Sequence, residues 1–231
     1  MQRRKPKQKI LVVDVGGSHV KCVATGHMQP LRFKSGPTMT AWRMVKTVLE
    51  LTRAWDFDVV SIGYPGVIRD NRILREPHNL GTGWVRLDMR AAFGRPIKLI
   101  NDAAMQALGD YKRGKMLFLG LGTGLGAALI VEGAIAAMEL GHLPCDGDKT
   151  YEYFLGDAGR KRLGNKKWRA RVSKVVEEFR NAFLPDEIVI GGGNAARLKK
   201  LPPHTRRGLN TRAFLGGFRL WNSETPRNAK R

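Results

Sequence analysis

Short runs of apolar residues recur along the chain, and most of them end at glycine, asparagine or aspartate. Apolar runs of this length, bounded by turn-forming residues, are typical of buried strands. The pattern therefore predicts strands at Ile10–Val13, Val59–Ile62, Ile97–Ile100, Met116–Leu119, Ala127–Val131 and Glu187–Ile190, with one more beginning near Val20.

Other segments show the 3.6-residue periodicity of helices. Thr40 can cap a helix whose apolar positions include Met44, Val45, Val48, Leu49 and Leu51. Asp102 to Tyr111 is predicted to be the helix that follows the third apolar run, and a short helix is expected after Gly191–Gly193. A longer amphipathic helix is predicted from the apolar stripe of Trp168, Val172, Val175, Val176, Phe179 and Phe183. Strands and helices alternate, which indicates a mixed α/β fold.

At 231 residues the chain can form one large domain or two small lobes. No apolar run could span a bilayer, and Asp14 interrupts the segment that a signal peptide would need. Cys22 and Cys145 lie far apart and imply no disulfide framework. We therefore expect a cytoplasmic protein without a membrane partner, with a disordered basic arm at 1–9 and a polar tail at 222–231.

The charge balance is strongly basic. Lysine and arginine number 41 against 20 acidic residues, for a formal net charge of +21. Residues 156–231 hold 19 basic and 6 acidic residues, most densely at Arg160, Lys161, Arg162, Lys166, Lys167, Arg169 and Arg171. Such a field attracts polyanions, so nucleic acid and polyphosphate are candidate ligands. A solvated basic surface without a ligand is the alternative.

Two glycine-rich turns follow predicted strands. In DVGGSHVK (14–21) the turn combines the Asp14 carboxylate, Gly16, Gly17, Ser18 and Lys21. Its glycines allow close approach of the backbone to a ligand, and this donor set suits Mg²⁺ and phosphates. An ordinary hairpin with a Gly-Gly turn is the alternative.

The second turn, GLGTGLG (120–126), contains the Thr123 hydroxyl and Gly124. Gly122, Gly124 and Ala127 nearly fit a dinucleotide fingerprint, but that motif opens a helix, and a strand is predicted here. The chain contains no Walker A sequence. We interpret this segment as a second phosphate-binding turn.

Asn101 and Asp102 stand where a predicted strand ends and a helix begins, a common place for functional side chains. An ordinary helix cap is the alternative. Beside two phosphate-binding turns, Asp102 is a candidate base that orients a hydroxyl for attack on phosphorus. Glu139, His142 and Glu152 suit hydrogen bonding to sugar hydroxyls, although a single histidine is more often structural. A zinc site is disfavoured, since His142 and Cys145 give only two ligands.

Together these segments resemble the ROK family of sugar kinases, in the superfamily of actin/hexokinase-type ATPases. DVGGSHVK (14–21) and GLGTGLGAALIVEG (120–133) are similar to its two phosphate motifs, and NDAAMQALGD (101–110) to its catalytic segment. IGYPGV (62–67), PHNLGTGW (77–84) and MELGHLP (138–144) resemble its sugar-contacting segments. From Tyr151 to Trp221 the chain is similar to the polyphosphate-using glucokinases of that family in particular.

The resemblance implies a two-lobed actin-like ATPase (ribonuclease H-like) fold, with lobes at 10–100 and 101–221 and the active site in the cleft between them. It also implies a homodimer. Asp102 would be the base for the sugar 6-hydroxyl. The sugar would be held by Asn101, Glu139, His142 and Glu152, with Asn79 and Gly66 assisting. The donor phosphates and Mg²⁺ would lie at Asp14 (the metal ligand), Gly16, Gly17, Ser18, Lys21, Thr123 and Gly124, with Gly192 and Gly193 at an adenosine.

The expected reaction is Mg²⁺-dependent transfer of a phosphoryl group from inorganic polyphosphate, or from ATP, to the 6-hydroxyl of glucose. One alternative is an ATP-dependent ROK kinase for another hexose, such as mannose or N-acetylmannosamine. A sugar-sensing, nucleic-acid-binding regulator is disfavoured, because such relatives carry an N-terminal helix-turn-helix and only residues 1–9 precede the first predicted strand.

Overall fold

The computed structural model describes residues 8–222, which form two compact units. Unit 1 contains the described residues up to Asp102 together with those from Gly217 onward, and unit 2 contains Ala103–Gly216. The expected basic arm and polar tail lie almost wholly outside the described residues. The limits of the two lobes, 10–100 and 101–221, stay predictions.

Unit 1 is built on a five-stranded sheet in the order β3-β2-β1-β4-β7. The central strand β1 is antiparallel to β2 and parallel to β4, which is parallel to β7. The strands are β1 (Ile10–Val15), β2 (His19–Ala24), β3 (His27–Lys34), β4 (Val59–Tyr64), the small hairpin β5 (Ile68–Arg69) and β6 (Arg72–Ile73), and β7 (Ile97–Asn101). Almost every residue of β1 and β4 is buried, as their unbroken apolar runs predict.

Two helices of unit 1 pack against this sheet. In α1 (Ala41–Leu51), Thr40 caps the first turn as predicted, its Oγ1 accepting the Arg43 N–H at 3.2 Å. The α1 face that includes Met44 and Val48 joins the sheet core. The prediction that Leu51 belongs to the apolar face of this helix is wrong, because Leu51 is the last residue of the helix and is 42% exposed. The short helix α2 (Met89–Phe93) ends at Gly94, whose φ is 61°.

Unit 2 has its own five-stranded sheet, in the order β10-β9-β8-β13-β14. Strand β8 is antiparallel to β9 and parallel to β13. The strands are β8 (Lys115–Leu121), β9 (Leu125–Val131), β10 (Ala134–Met138), the hairpin β11 (Pro144–Asp146) and β12 (Lys149–Thr150), β13 (Glu187–Gly191) and β14 (Thr205–Arg207). The β8–β9 hairpin therefore carries the second glycine-rich turn, as expected.

The longest helix packs its predicted apolar stripe against this second sheet. Trp168, Val172 and Val175 are fully buried within the core of unit 2. A non-helical Gly164, with φ 72° and ψ 157°, interrupts this helix near its start. The helices are α3 (Asp102–Asp110), α4 (Tyr151–Leu155), α5 (Asp157–Phe183) and α6 (Arg212–Asn222), with 3₁₀ helices at Leu140–His142 and Gly193–Arg197.

Helix α6, which the periodicity did not predict, passes very close to α3. A Cβ on Gly216 would overlap the Met105 carbonyl oxygen, and one on Gly109 would overlap the Arg212 carbonyl oxygen. These glycines therefore permit backbone-to-backbone contact within unit 2. Across residues 8–222, no helix combines the length and apolar character needed to cross a membrane.

Candidate active site

Three parallel strands of unit 1 end side by side. Asp14 in β1 is in register with Gly63 in β4, and Tyr64 in β4 is in register with Asn101 in β7. Because the carboxyl ends of parallel strands meet at one edge of a sheet, Asp14 and the Asn101-Asp102 pair lie at the same edge. This is the edge at which open α/β sheets bind their ligands.

The first glycine-rich turn is closed by hydrogen bonds to its own backbone. The Gly16 N–H donates to the His19 carbonyl at 3.0 Å, and a Cβ on Gly16 would lie 2.9 Å from that oxygen. Ser35 Oγ donates to the Gly16 carbonyl at 2.6 Å, and its N–H donates to the Ser18 carbonyl at 3.0 Å. Sequence reasoning missed Ser35, which no local motif marks.

Asp14 and Lys21 face one another across the β1–β2 ladder, with Nζ and Oδ2 3.7 Å apart. Burial raises the pKa of the Asp14 carboxyl, and the Lys21 ammonium partly offsets that rise. The Asp14 side chain is 17% exposed, so its carboxylate can be reached by a ligand while losing most of its contact with water. A cation at this carboxylate would further favour its ionised form.

The predicted sugar-contacting residues of unit 1 lie near these elements. A Cβ on Gly17 would be 3.5 Å from the Asn79 Cβ, so Asn79 lies against the first turn. Asn101 Nδ2 donates to the Gly66 carbonyl at 3.2 Å and so holds the loop that follows β4. The structure brings Asn79 to the first turn and Gly66 to Asn101.

A clamp that the sequence did not reveal holds the Asn79 loop. The Glu76 carboxylate accepts hydrogen bonds from the backbone N–H groups of Gly83, Trp84 and Val85, at 3.1 to 3.2 Å. Trp84 is fully buried, with its ring 5.3 Å from that of Tyr64. A carboxylate that accepts three backbone N–H groups fixes a loop strongly. In the sequence, the only feature that could have indicated this contact is the acidic residue directly before Pro77.

The second glycine-rich turn, in unit 2, has its carbonyl groups occupied by neighbouring donors. The Asp157 N–H, at the start of α5, is 3.1 Å from both the Gly122 and Thr123 carbonyl oxygens. Asn194 Nδ2 donates to the Gly122 carbonyl at 3.1 Å. Carbonyl oxygens repel phosphate, so occupying them with protein donors favours a turn that presents N–H groups to an anion.

Asp157 and Asn194 are functional candidates that sequence reasoning missed. The Asp157 carboxylate pairs with Lys161 at 2.9 Å and with Arg160 at 2.8 Å, and it accepts from Asn194 at 3.3 Å. Hydrogen bonds from Lys161 and then Arg160 lower the pKa of Asp157 to about 2. The signals were an acidic residue in the first turn of a helix and an asparagine directly after three glycines.

The Glu152 side chain, from α4, lies against the second turn. Its Oε2 accepts the Leu125 N–H at 3.1 Å, and a Cβ on Gly124 would overlap this carboxylate. A Cβ on Gly141 would lie 3.4 Å from the Glu152 Cβ. The turn, Glu152 and the 3₁₀ helix containing Gly141 therefore form one cluster in unit 2.

The remaining predicted residues of unit 2 lie around this cluster. His142 Nδ1 is 3.4 Å from Glu139 Oε2, and both side chains are about half exposed. Gly192 has a φ of 82°, and a Cβ there would overlap the Leu121 backbone at the end of β8. The Gly192-Gly193 segment thus lies beside the second turn. That the groups in the two units serve one cleft stays a prediction.

The sequence profile of the ROK family matches residues 10–161, which is well over half of the chain. The chain belongs to the ROK family. This ROK protein is 28% identical over 212 residues to a polyphosphate glucokinase of Mycobacterium tuberculosis, an alignment that spans 83% of this chain and 80% of the relative.

Solved structures of ROK proteins share the fold. The inorganic polyphosphate/ATP-glucomannokinase from Arthrobacter sp. strain KM superposes with a TM-score of 0.76 at 22% identity, over 93% of this chain and 98% of that one. A ROK family glucokinase from Streptomyces griseus, in complex with glucose and AMPPNP, gives a TM-score of 0.71 at 16% identity, over 92% of this chain and 98% of that one. The expected actin-like α/β fold of this ROK protein is confirmed.

Proposed function

We propose that the protein is a sugar kinase that transfers a phosphoryl group from inorganic polyphosphate, and from ATP, to the 6-hydroxyl of glucose. The observation that carries this proposal is the shared edge of the unit 1 sheet, where Asp14 and the Asn101-Asp102 pair lie at the carboxyl ends of two parallel strands, β1 and β7, with β4 between them. Similarity to a polyphosphate glucokinase supports the choice of donor and of sugar.

Asp102 would act as the base. Its carboxylate accepts a hydrogen bond from the 6-hydroxyl and takes that proton as the oxygen attacks the terminal phosphorus. The new O–P bond forms as the bond to the leaving phosphate breaks, and the leaving group keeps that electron pair. A carboxylate is sufficient as the base, since positioning and charge stabilisation dominate phosphoryl transfer.

Asp14 fits a magnesium ion at the donor phosphates. No cluster of three or more acidic, histidine or cysteine side chains lies within residues 8–222, so a cage built wholly from protein ligands is absent from that part of the chain. Mg²⁺ commonly takes one or two carboxylates and completes its shell with water and phosphate oxygens. When bound, it would neutralise charge on the donor. Lys21 would add a second positive charge beside Asp14.

The remaining roles follow the geometry of each unit. Gly16, Gly17 and Ser18 would approach the donor phosphates in unit 1, as Thr123 and Gly124 would in unit 2. Gly192 and Gly193, beside the second turn, would meet the adenosine of ATP. The sugar hydroxyls would be bound by Asn79, Gly66, Asn101, Glu139, His142 and Glu152.

The test compares Asp102→Asn with Asp148→Asn, a matched change at an exposed aspartate. Glucose 6-phosphate formation is followed with polyphosphate and with ATP in the presence of Mg²⁺. Loss of a general base should lower kcat of Asp102→Asn by about 10²- to 10⁴-fold, with an unchanged melting temperature. The proposal would be refuted if neither polyphosphate nor ATP gave glucose 6-phosphate, or if Asp102→Asn kept the wild-type kcat.

Mannose is the alternative sugar, favoured by similarity to a glucomannokinase. A panel of hexoses at one fixed donor concentration, compared by kcat/KM, decides between glucose and mannose as the preferred substrate. A homodimer and a cytoplasmic location also belong to this proposal. Light scattering on the purified protein and cell fractionation measure them.

A further inference from the structure

Six cations of unit 2 lie on elements around the second glycine-rich turn, and we name them the basic strip: Lys166, Arg169, Arg197, Lys199, Lys200 and Arg207. All of them except Arg169 are exposed. They come from α5, from the 3₁₀ helix Gly193–Arg197 with the two lysines that follow it, and from β14.

Hydrogen bonds connect these elements to the turn. Asn194, in the 3₁₀ helix, contacts both the Gly122 carbonyl and Asp157 at the start of α5. Further along, Arg169 Nε of α5 donates to the Arg197 carbonyl at 2.8 Å. The strip therefore follows the seam between α5 and the 3₁₀ helix, and this seam begins at the second turn.

Arg207 fixes the far side of the seam. Its guanidinium donates to the Ala195 carbonyl at 2.8 Å and to the Leu198 carbonyl at 2.9 Å. The side chains of Ala195 and Leu198 pack into the core with the buried face of α5. The backbone that carries Arg197, Lys199 and Lys200 is thus held in place, although these side chains reach solvent.

Most of the other cations of α5 pair with carboxylates: Arg171 pairs with Asp146, Lys174 with Glu178 and Arg180 with Glu177. Arg162 and Lys167 are the exceptions, since neither joins an ion pair in the described part of the chain. Within residues 8–222, no ion pair joins a strip side chain to a carboxylate. Unpaired cations held close together repel one another, and a polyanion would relieve that repulsion.

We propose that the basic strip binds the part of a long inorganic polyphosphate chain that extends beyond the reacting phosphate. This inference rests on the proposed function, in which the second turn holds the donor. Residues 193–207 contain no phenylalanine, tyrosine or tryptophan, whereas proteins that bind single-stranded nucleic acid usually stack bases on such rings. Polyphosphate, a linear polyanion without bases, is therefore a better match for the strip than nucleic acid.

In this proposal, the strip raises the affinity of the protein for long polyphosphate chains and leaves its affinity for short donors unchanged. Long chains reach the strip and release counterions on binding, so their KM should be low at low salt and should rise steeply with salt. In this proposal, ATP and tripolyphosphate occupy the turn and do not extend onto the strip. Their KM values should depend on salt less steeply.

The test variant is Lys199→Gln/Lys200→Gln, and its matched control is Lys112→Gln/Arg113→Gln, another exposed adjacent pair in unit 2. KM for long-chain polyphosphate should rise about 3- to 10-fold in the test variant at low salt, because each exposed contact is worth a fraction of a tenfold change. The slope of log KM against log salt should fall by about 0.7 per lost contact. Lys199→Glu/Lys200→Glu should enlarge both effects.

Values of kcat, and KM for ATP and tripolyphosphate, should stay within about twofold of wild type in every variant. The control pair should leave KM for long chains unchanged. A second readout, fluorescence anisotropy of labelled long-chain polyphosphate, measures binding without turnover and should show the same loss of affinity.

Equal KM changes for long and short donors, or no change for long chains, would overturn the inference and leave the proposed function standing. Tighter binding of a single-stranded oligonucleotide than of polyphosphate of equal charge would overturn it in favour of nucleic acid. Should the wild type form no glucose 6-phosphate from any donor, the proposed function fails, and the anisotropy measurement still decides whether the strip binds polyphosphate.

Discussion

Glu152 Oε2 accepts a hydrogen bond from the Leu125 N–H at 3.1 Å, so a carboxylate expected to hold the sugar also holds the second glycine-rich turn. A Cβ on Gly124 would overlap the same carboxylate. The position therefore requires glycine for the space that Glu152 occupies. In the proposed reaction, one side chain links the sugar subsite with the donor subsite.

A double-mutant cycle tests this link. Gly124→Ala should displace the Glu152 carboxylate and raise KM for the donor and for glucose together, because both subsites lose the same support. Glu152→Ala should do likewise. Once the carboxylate is gone, the added methyl group has room, so the double variant should resemble Glu152→Ala alone. Steady-state kinetics on the four proteins gives the coupling.

Additive effects in that cycle would show that Gly124 and Glu152 act independently. Glu152→Gln serves as the conservative variant, since an amide oxygen can still accept the Leu125 N–H. It should retain the donor KM better than Glu152→Ala does.

Because of Asp157, the free energy of unfolding should fall as the pH is lowered into the acid range. The pKa of Asp157 is lowered to about 2, chiefly by the hydrogen bond from Lys161, so the folded state favours the carboxylate. The resulting stabilisation is fully present above the unfolded pKa of about 4 and is lost as pH falls towards 2. Asp157→Asn should lower the unfolding free energy at pH 7 by less than about 1 kcal/mol, because Lys161, the main partner, is 72% exposed and its interaction is screened by water.

Urea unfolding of wild type and Asp157→Asn at pH 7 and at pH 3 measures this effect. The difference between the two proteins should shrink at the lower pH, whereas Asp148→Asn should match wild type at both. A difference that grows on acidification would contradict the assignment.

Gly216 and Gly217 in α6 should respond differently to alanine. Alanine gains about 1 kcal/mol of helix propensity over glycine. At Gly216 the new methyl meets the Met105 carbonyl oxygen, and at Gly217 it meets the Val12 side chain. Overpacking of this kind costs about 1–3 kcal/mol, so both variants should be less stable than wild type.

The two overlaps differ in how they can be relieved. Val12→Ala should remove most of the penalty of Gly217→Ala, because it deletes the atoms that the methyl meets. The same change should leave the penalty of Gly216→Ala untouched, since a backbone carbonyl cannot be trimmed. Thermal unfolding of the single and double variants checks this, and a rise in melting temperature for Gly216→Ala would refute the contact.

Ser61 joins a central strand of unit 1 to the end of α6. Its hydroxyl is fully buried, donates to the Gly217 carbonyl at 2.6 Å and accepts the Trp221 Nε1–H at 2.9 Å. Ser61→Ala leaves both groups without this partner, which should cost about 2–3 kcal/mol of unfolding free energy. Ser173→Ala, at an exposed position of α5, is the control and should cost under about 0.5 kcal/mol in the same denaturant titration.

Local patterns in the sequence determined the elements that carry the chemistry. The apolar runs defined β1, β4, β7, β8, β9 and β13, and Thr40 marked the start of α1. The glycine-rich turns lie at the ends of β1 and β8, where the sequence predicts them. These features depend on residues that are neighbours in the chain, so apolar periodicity and turn chemistry are sufficient to find them.

Tertiary structure alone decided which residues brace those turns. Ser35 at the first turn, and Glu152, Asp157 and Asn194 at the second, come from distant segments that the fold brings together. The sequence also did not predict helix α6, because its glycine pair lowers helix propensity. Gly216 is favourable there only because the backbone of α3 passes close by. A local pattern cannot contain such contacts, since their energy appears only after the chain has closed the loops between them.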